Sequence, residues 1–370
     1  MELLKGQWTK ERAWEWYNSR PWIRGFNGYP SNAVNRIAMW QEYGHKEVFE
    51  QIEYEFGLAK ETGLNAVRTI VQFEIWYYQH DSFMSHLEEY ITLADKYGLD
   101  VMLVIGNDCC TPKELYAYGP DNFGPQPVDW GYHSGIKRGP HGRNYDGVPG
   151  YLFLDEPGMD VEYFKMVTEL ADKYGKDERV IMWNLWNEVG NSRRGMMSVP
   201  MMEGAAKILR EKEVIQPLTA DVWSRRYATD PIKEPERRAA EISDIISFHY
   251  YFSYEDIIPM IEVYREEFGR PVMNTEWLNR FRDNTIEKIF PLFYLERVGS
   301  FHWGLIQGYS QTWEPYISFF KTKEFEDGTL DLTKWQHDLY RFNGYPYDPK
   351  EIKIIKRFSA LADEKFNNKK

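Results

Sequence analysis

The chain has 370 residues, with 45 basic and 57 acidic side chains for a net charge of −12, a balance that repels phosphate backbones and anionic bilayers and so excludes nucleic acid and membranes as partners. Hydrophobic residues make up 43% of it, enough for one large core, and no composition break divides it, so a single domain over 1–370 is expected. The 14 Trp and 26 Tyr suit a surface that stacks against the apolar faces of sugars.

From Met1 to Trp8 there is neither a long apolar run nor a small-residue cleavage site, so the chain as given reads as cytoplasmic, and as secreted or periplasmic if a leader has been removed. Residues 1–20 read as an N-terminal extension before a first strand, Ile23 to Asn27. Between His45 and Thr62, Val48, Ile52, Phe56 and Ala59 share a helical face, Gly63 supplies the stop, and a strand from Asn65 to Val71 follows. The phrase repeats: Phe83, Leu87, Tyr90, Ile91 and Ala94 form a helical face ending at Gly98, before a strand from Asp100 to Gly106. From about 107 to 157 the chain is rich in Gly and Pro and poor in helical pattern, which predicts an inserted loop after the third strand; its Trp130, Tyr132, His133 and His141 could wall a cleft. A third helix ends at Gly175 and a strand runs from Arg179 to Trp186. Further strands are expected at Pro217 to Val222, Asp244 to Phe248, Pro271 to Thr275 and Ser300 to Ile306. Helices alternating with apolar strands require a parallel sheet, and eight strands close one, so the expected fold is α/β, a (β/α)8 TIM barrel. The alternative, an open doubly wound sheet, lacks its Gly-rich dinucleotide fingerprint after every candidate strand.

Two carboxylates stand out by position. Glu188 follows an apolar strand in Trp183-Asn-Leu-Trp-Asn-Glu-Val-Gly-Asn191, and Glu276 ends another in Pro271-Val-Met-Asn-Thr-Glu-Trp-Leu278. Strand-end glutamates on different strands can face each other across a barrel mouth, the requirement for cleaving a glycosidic bond with two carboxyl groups. A carboxyl walled by the indoles beside Glu188 would be desolvated and kept protonated as a general acid. Cys109 and Cys110 are adjacent and make no disulfide framework. No His-Glu-x-x-His or Cys-rich spacing occurs, so neither a metal nor a cofactor is expected.

In order along the chain, Arg68, Asn187-Glu188, His249-x-Tyr251, Glu276 and Trp303 resemble the motif residues of the clan A glycoside hydrolases, in particular family five-like cellulase, mannanase and xylanase sequences. The stretches Asn27 to Gln41 and Gly124 to Ser134 resemble one branch of sequences labelled cellulase or xylanase. The resemblance implies a retaining β-glycoside hydrolase acting on a β-linked poly- or oligosaccharide. It implies Glu276 as nucleophile, held ionised and oriented by Arg68 and Tyr251, and Glu188 as general acid and base. Asn187 would donate to the sugar 2-hydroxyl and Trp303 would form the floor under the ring, with His249 and Asn27 supporting. Trp40 is read either as a sugar platform or as core. Where many clan members place a histidine near the end of the third strand, this chain has Gly106-Asn-Asp-Cys-Cys110, which leaves Asp108 as the substitute. A transglycosylase would use the same residues; a catalytically silent carbohydrate-binding barrel would not require both Glu188 and Glu276.

Overall fold

A computed structural model describes residues 3–115, 119–135 and 148–367. In chain order the elements are α1 (Lys10–Ser19), β1 (Arg24–Asn27), α2 (Arg36–Trp40), α3 (His45–Thr62), β2 (Ala66–Ile70), α4 (Phe73–Tyr78), α5 (His80–Lys96) and β3 (Asp100–Val104). They continue with α6 (Met159–Tyr174), β4 (Val180–Asn184), α7 (Val199–Glu211), β5 (Leu218–Thr219), β6 (Asp221–Val222), α8 (Glu234–Ile242), β7 (Ile246–His249), α9 (Tyr254–Phe268), β8 (Val272–Trp277), α10 (Ile286–Leu295), β9 (Gly299–His302), α11 (Lys323–Glu326) and α12 (Pro349–Asn367). Among the described residues no helix is long and apolar enough to cross a membrane.

All strand pairs are parallel and run in the order β5-β4-β3-β2-β1-β9-β8-β7-β6, a nearly closed barrel whose two ends, β5 and β6, are consecutive in the chain. They are the single expected strand from Pro217 to Val222, split at Ala220. There the backbone N–H donates to Ser243 Oγ (3.0 Å) instead of a strand carbonyl, so the ladder changes partner from β4 to β7. The helices enclose the barrel as the periodicity predicts. In α3 the buried face includes Val48, Ile52, Phe56 and Ala59, and Gly63 ends the helix at φ +95°, a conformation only glycine adopts without strain.

Inside the barrel, Ile23, Ala66, Met102, Met182, Ile245, Met273 and Phe301 pack as one apolar cluster near the N-terminal ends of the strands. The expected N-terminal extension covers it: Tyr17 of α1 belongs to the cluster, its hydroxyl donates to Arg297 O (2.9 Å), and Trp14 Nε1 donates to Gly269 O (3.0 Å). Between β3 and α6 the described residues contain short 3-10 turns at Lys113–Leu115, Pro120–Asn122 and Phe153–Asp155. His141, part of the expected cleft wall, lies outside the described residues.

Candidate active site

The opposite end of the barrel carries a layer of buried polar groups. Arg68 on β2 is 1% exposed and organises it. Its Nη1 donates to Asn27 Oδ1 at the end of β1 (2.7 Å) and to Glu276 Oε1 on β8 (3.0 Å); its Nη2 donates to Asn187 Oδ1 (2.6 Å) and to Asp221 Oδ2 on β6 (2.8 Å). Asp221 also accepts from Asn184, Ser247 and Thr275. Burial penalises its charge, but the Arg68 guanidinium and His249 outweigh that and hold its carboxyl far below the usual range. Asp221 is therefore the fixed counter-ion of the layer, and a buried charge so fully paired is the arrangement such a position requires.

Glu188 and Glu276 meet above this layer at His249. Glu276 Oε2 accepts from the Tyr251 hydroxyl (2.8 Å), and His249 Nδ1 lies 2.7 Å from Glu188 Oε1 and 3.4 Å from Glu276 Oε2. His249 Nε2 faces Asp221 Oδ2 at 3.3 Å. Burial favours the neutral ring, but Glu276, Asp221 and Glu188 around it push His249 up to about 10, so it is an imidazolium at neutral pH. Glu188 Oε2 accepts from the Cys109 thiol (3.0 Å) and from Asn191 Nδ2. Burial would raise Glu188, yet the His249 hydrogen bond and charge hold it below the usual carboxylate value, whereas burial and the nearby Glu188 charge raise Glu276 against the pull of His249 and Arg68. The expectation of an indole-walled, raised Glu188 is thus corrected: Trp183 and Trp186 are fully buried in the core, and Glu188 is surrounded instead by His249, Cys109 and Asn191. Glu188 adopts φ +50°, a left-handed conformation costing about 1 kcal/mol or more for a residue with a Cβ.

A cavity of about 170 Å³ opens over these groups and is lined by Asn27, Arg68, Asn187, Glu188, Tyr251, Glu276 and Trp303 among others. Two expected site residues lie elsewhere. Trp40 is fully buried against Phe83 and Tyr90, with Nε1 donating to Ile70 O (2.9 Å), so it is core. Asp108 turns away from the cavity and accepts from Arg194 Nε (3.1 Å), Ser198 Oγ (2.6 Å) and Gly190 N (2.7 Å), anchoring the loop that carries Glu188. Its neighbours Asn107 and Cys109 face the cavity instead, because successive side chains of an extended segment point to opposite sides. His133, expected from its loop as part of a cleft wall, does line the cavity. Sequence reasoning missed Asp221 and Tyr316: Asp221 carried a signal, a carboxylate amid the apolar strand residues Leu218, Ala220 and Val222, whereas Tyr316 reaches the cavity from a loop and carried none.

Glu188, His249 and Glu276 each offer one atom within 4.8 Å of the others, close enough to share a metal ion. Their polar atoms are already engaged: His249 Nδ1 with Glu188 Oε1, Arg68 Nη1 with Glu276 Oε1 and the Tyr251 hydroxyl with Glu276 Oε2.

The profile of the cellulase family, glycosyl hydrolase family 5, matches residues 26–324. No curated protein matches the sequence. Among solved structures the fold is similar to exo-beta-1,4-mannosidase Op5Man5 from Opitutaceae bacterium strain TAV5, at 12% identity over 100% of this chain and 63% of that one, TM-score 0.54. It is similar also to the endo-1,4-beta-D-mannanase of Thermotoga petrophila RKU-1, at 16% identity over 92% and 99%, TM-score 0.53. A third likeness is to GH5_18 from Streptomyces cattleya in complex with GlcNAc, at 11% identity over 95% and 82%, TM-score 0.58. The chain spans less than two thirds of the length of the first of these structures.

Proposed function

Because this chain belongs to the cellulase family, glycosyl hydrolase family 5, and is accordingly a glycoside hydrolase acting on carbohydrate, we propose that it cleaves β-linked oligo- or polysaccharides by double displacement with retention of configuration, Glu276 being the nucleophile and Glu188 the general acid and base. One observation carries the stereochemical reading: an oxygen of Glu188 and an oxygen of Glu276 lie within 4.8 Å of each other. Retaining enzymes hold their carboxyl groups about 5–5.5 Å apart, whereas inverting enzymes need about 6.5–9.5 Å to admit a water between carboxylate and sugar.

In the first step a Glu276 oxygen forms a bond to the anomeric carbon while the glycosidic bond breaks, its electron pair passing to the leaving oxygen, which takes a proton from Glu188. Arg68 and Tyr251 each donate to Glu276 and keep it aimed, and Asn27 fixes Arg68 from the other side. The proton that Glu188 delivers is stored on His249 Nδ1, 2.7 Å away, so the charged histidine and ionised Glu188 convert to a neutral histidine and a protonated acid as the leaving oxygen arrives. Asn187 Nδ2 spends one hydrogen on Asn107 Oδ1 (2.7 Å), and its other contact, Cys109 Sγ at 3.5 Å, is weak enough for a sugar 2-hydroxyl to replace. Trp303, partly exposed in the cavity, forms the floor under the ring. In the second step Glu188 removes a proton from water, the water oxygen bonds to the anomeric carbon, and the ester electron pair returns to Glu276.

The test is hydrolysis of 4-nitrophenyl β-glucoside, β-mannoside and β-xyloside by wild type, Glu276→Ala and Glu188→Ala, with azide added to the variants. Two of the fold neighbours are named for β-1,4-mannan chemistry, which puts the mannoside first. Retention predicts the β-anomer as first product by proton NMR, a β-glycosyl azide from Glu188→Ala and an α-glycosyl azide from Glu276→Ala; an α-anomer released first by wild type refutes double displacement. Residues 1–370 are proposed to work as one catalytic domain, a reading supported by α1 under the barrel and by α12, whose Phe358 packs on Tyr294 of α10 (5.3 Å) and whose Asp363 pairs with Arg24 (2.8 Å).

A further inference from the structure

Glu188 stands after β4 and Glu276 on β8, so two arcs of the rim separate them: one through β5, β6 and β7, the other through β9, β1, β2 and β3. A sugar chain lying across the carboxylate pair extends over one arc on its glycone side and over the other on its leaving-group side. The two arcs are built differently.

Over the second arc the loop after β3 runs back across the mouth and is tied down on both sides. It meets the loop after β1 through Asn35 Nδ2 to Gln126 Oε1 (2.9 Å) and through a reciprocal pair between Gln41 and Gly124 (2.8 and 2.7 Å). It then reaches the loop after β9, where Gln311, fully buried, accepts from Gly131 N (2.6 Å) and donates to Asp129 O (2.8 Å), and where His133 Nδ1 donates to Glu314 O (2.8 Å). Trp130 packs edge-on against Tyr309 (5.8 Å) and His133 against Tyr316 (4.6 Å). The approach is backbone to backbone: a Cβ at Gly135, which has φ +67°, would sit 2.2 Å from Tyr309 O. The loops after β1 and β9 are joined in turn by Tyr309 N to Ser31 O (2.7 Å).

On the first arc the described loops join their neighbours around the rim, as in Trp223 Nε1 to Val189 O (3.0 Å), Tyr250 OH to Arg226 O (2.9 Å) and Asn284 Nδ2 to Phe252 O (2.7 Å), and the loop after β7 spans four residues before α9. The cavity reflects this asymmetry. Apart from Asn187 and the two carboxylates, its described lining comes from the strapped arc, Tyr251 excepted. Trp303 and Asn187, the groups that would hold the reacting sugar, open into that strapped cavity.

We propose that the enzyme is exo-acting: it takes the non-reducing terminal sugar of a β-linked oligosaccharide or glycoside into the strapped cavity and releases it as a monosaccharide, while the leaving chain exits over the β5–β7 arc. The strap occupies the path that a further sugar on the glycone side would follow. This rests on the assignment of Glu276 and Glu188 above.

The test uses the full chain on cellohexaose, mannohexaose and xylohexaose labelled at the reducing end with 2-aminobenzamide, followed by time-resolved chromatography. The expected record is a labelled series that shortens by one sugar at a time with monosaccharide as the unlabelled product; early unlabelled di- or trisaccharides overturn exo action. In Gln311→Ala, and in His133→Ala should the first variant fold poorly, loosening the strap is expected to raise KM for the matching 4-nitrophenyl monoglycoside about tenfold and to let unlabelled disaccharide appear; an unchanged KM and product series in both variants overturns the strap's part. Hydrolysis that persists in Glu276→Gln would instead defeat the nucleophile assignment, whatever the product pattern.

Discussion

Met273 and Glu276 lie three residues apart on β8 and are both buried, yet they belong to opposite kinds of interior. Met273 packs with Ala66, Met102, Met182 and Phe301 in an apolar layer closed from below by Tyr17. Glu276 joins Arg68, His249 and Asp221 in a layer where nearly every side chain is charged or answers a charge. In the lower layer each contact is non-directional and contributes through area removed from water, about 25 cal/mol per Å². In the upper layer desolvation consumes most of what the ion pairs return, so its charges are explained by chemistry rather than by stability. The chain keeps its stability below and its reactivity above, and the two separate under mutation.

The largest expected effect is on the upper layer. Glu276→Gln and Glu188→Gln preserve shape and one acceptor oxygen but remove the proposed nucleophile and the proposed acid, and each is expected to lower kcat on an aryl glycoside at least about a thousandfold, some 4 kcal/mol of transition-state stabilisation. Tm should stay level or rise, because the like charge of two neighbouring carboxylates is relieved; a fall of several degrees would show that the ion cluster supports the fold. The lower layer should behave in reverse. Phe301→Ala is expected to cost about 3–5 kcal/mol of stability, read as a lower urea midpoint, with kcat per folded molecule unchanged.

How much of this contrast was legible in the sequence depends on which layer is considered. The barrel was readable because its signals are local: a helical face, a glycine stop and an apolar strand, repeated. Glu188 and Glu276 were readable because each ends an apolar run. Asp221 escaped although it is the counter-ion to which Arg68 and His249 turn, since a short strand such as β6 hides one carboxylate among residues read for hydrophobicity. Asp108 was chosen in place of Cys109 because sequence gives the type of residue but not the register, and one residue decides which side chain faces the cavity. The loop after β3 was legible as a cleft wall, but its ties were not, for those through Gln311 and His133 join residues about 180 positions apart.

Two buried acids beside the upper layer sharpen the contrast through pH. Glu55 accepts from Ser31 N (2.7 Å) and Asp338 from Thr312 Oγ1 (2.7 Å), and burial pushes each up to about 7. Both raised acids bind a proton in the folded chain that the unfolded chain has already released, so they contribute stability in full below about pH 4 and lose it as pH rises toward 7. The effect is on the order of 3 kcal/mol each. Tm is therefore expected to fall between pH 5 and pH 8, and the Glu55→Gln, Asp338→Asn double variant should flatten that slope; a wild-type Tm that rises over this interval contradicts the arrangement.

Catalysis should follow a different pH dependence. In the proposed mechanism activity needs Glu276 ionised and one proton on the His249–Glu188 unit. The acid limb of kcat/KM is then lost as pH falls through the Glu276 value, which burial and the Glu188 charge raise, and the alkaline limb is lost as pH rises through the value of the unit. In His249→Gln the proton store is gone, and the alkaline limb is expected to move down by at least about one pH unit, because Glu188 must then hold its own proton. An alkaline limb that does not move would assign the acid's proton to another group.

The smallest expected effect separates two tryptophans that the sequence treats alike. Trp303 opens into the cavity, and Trp303→Ala should lower kcat/KM by one to two orders of magnitude with little change in Tm. Trp40 lies under the loop after β1, its ring against Phe83 and Tyr90 and its Nε1–H on Ile70 O, so Trp40→Phe removes one buried hydrogen bond and part of an indole, a loss of about 1–2 kcal/mol. That loss should appear as a slightly lower Tm, while KM stays within about twofold, since the Trp40 side chain is fully buried and turned from the cavity that Arg36 and Met39 of α2 line, and its neighbours can close over the few atoms lost. A KM change in Trp40→Phe comparable to that in Trp303→Ala would mean that the wall transmits core packing to the bound sugar, and the separation between a stabilising interior and a reactive mouth would fail at the loop after β1.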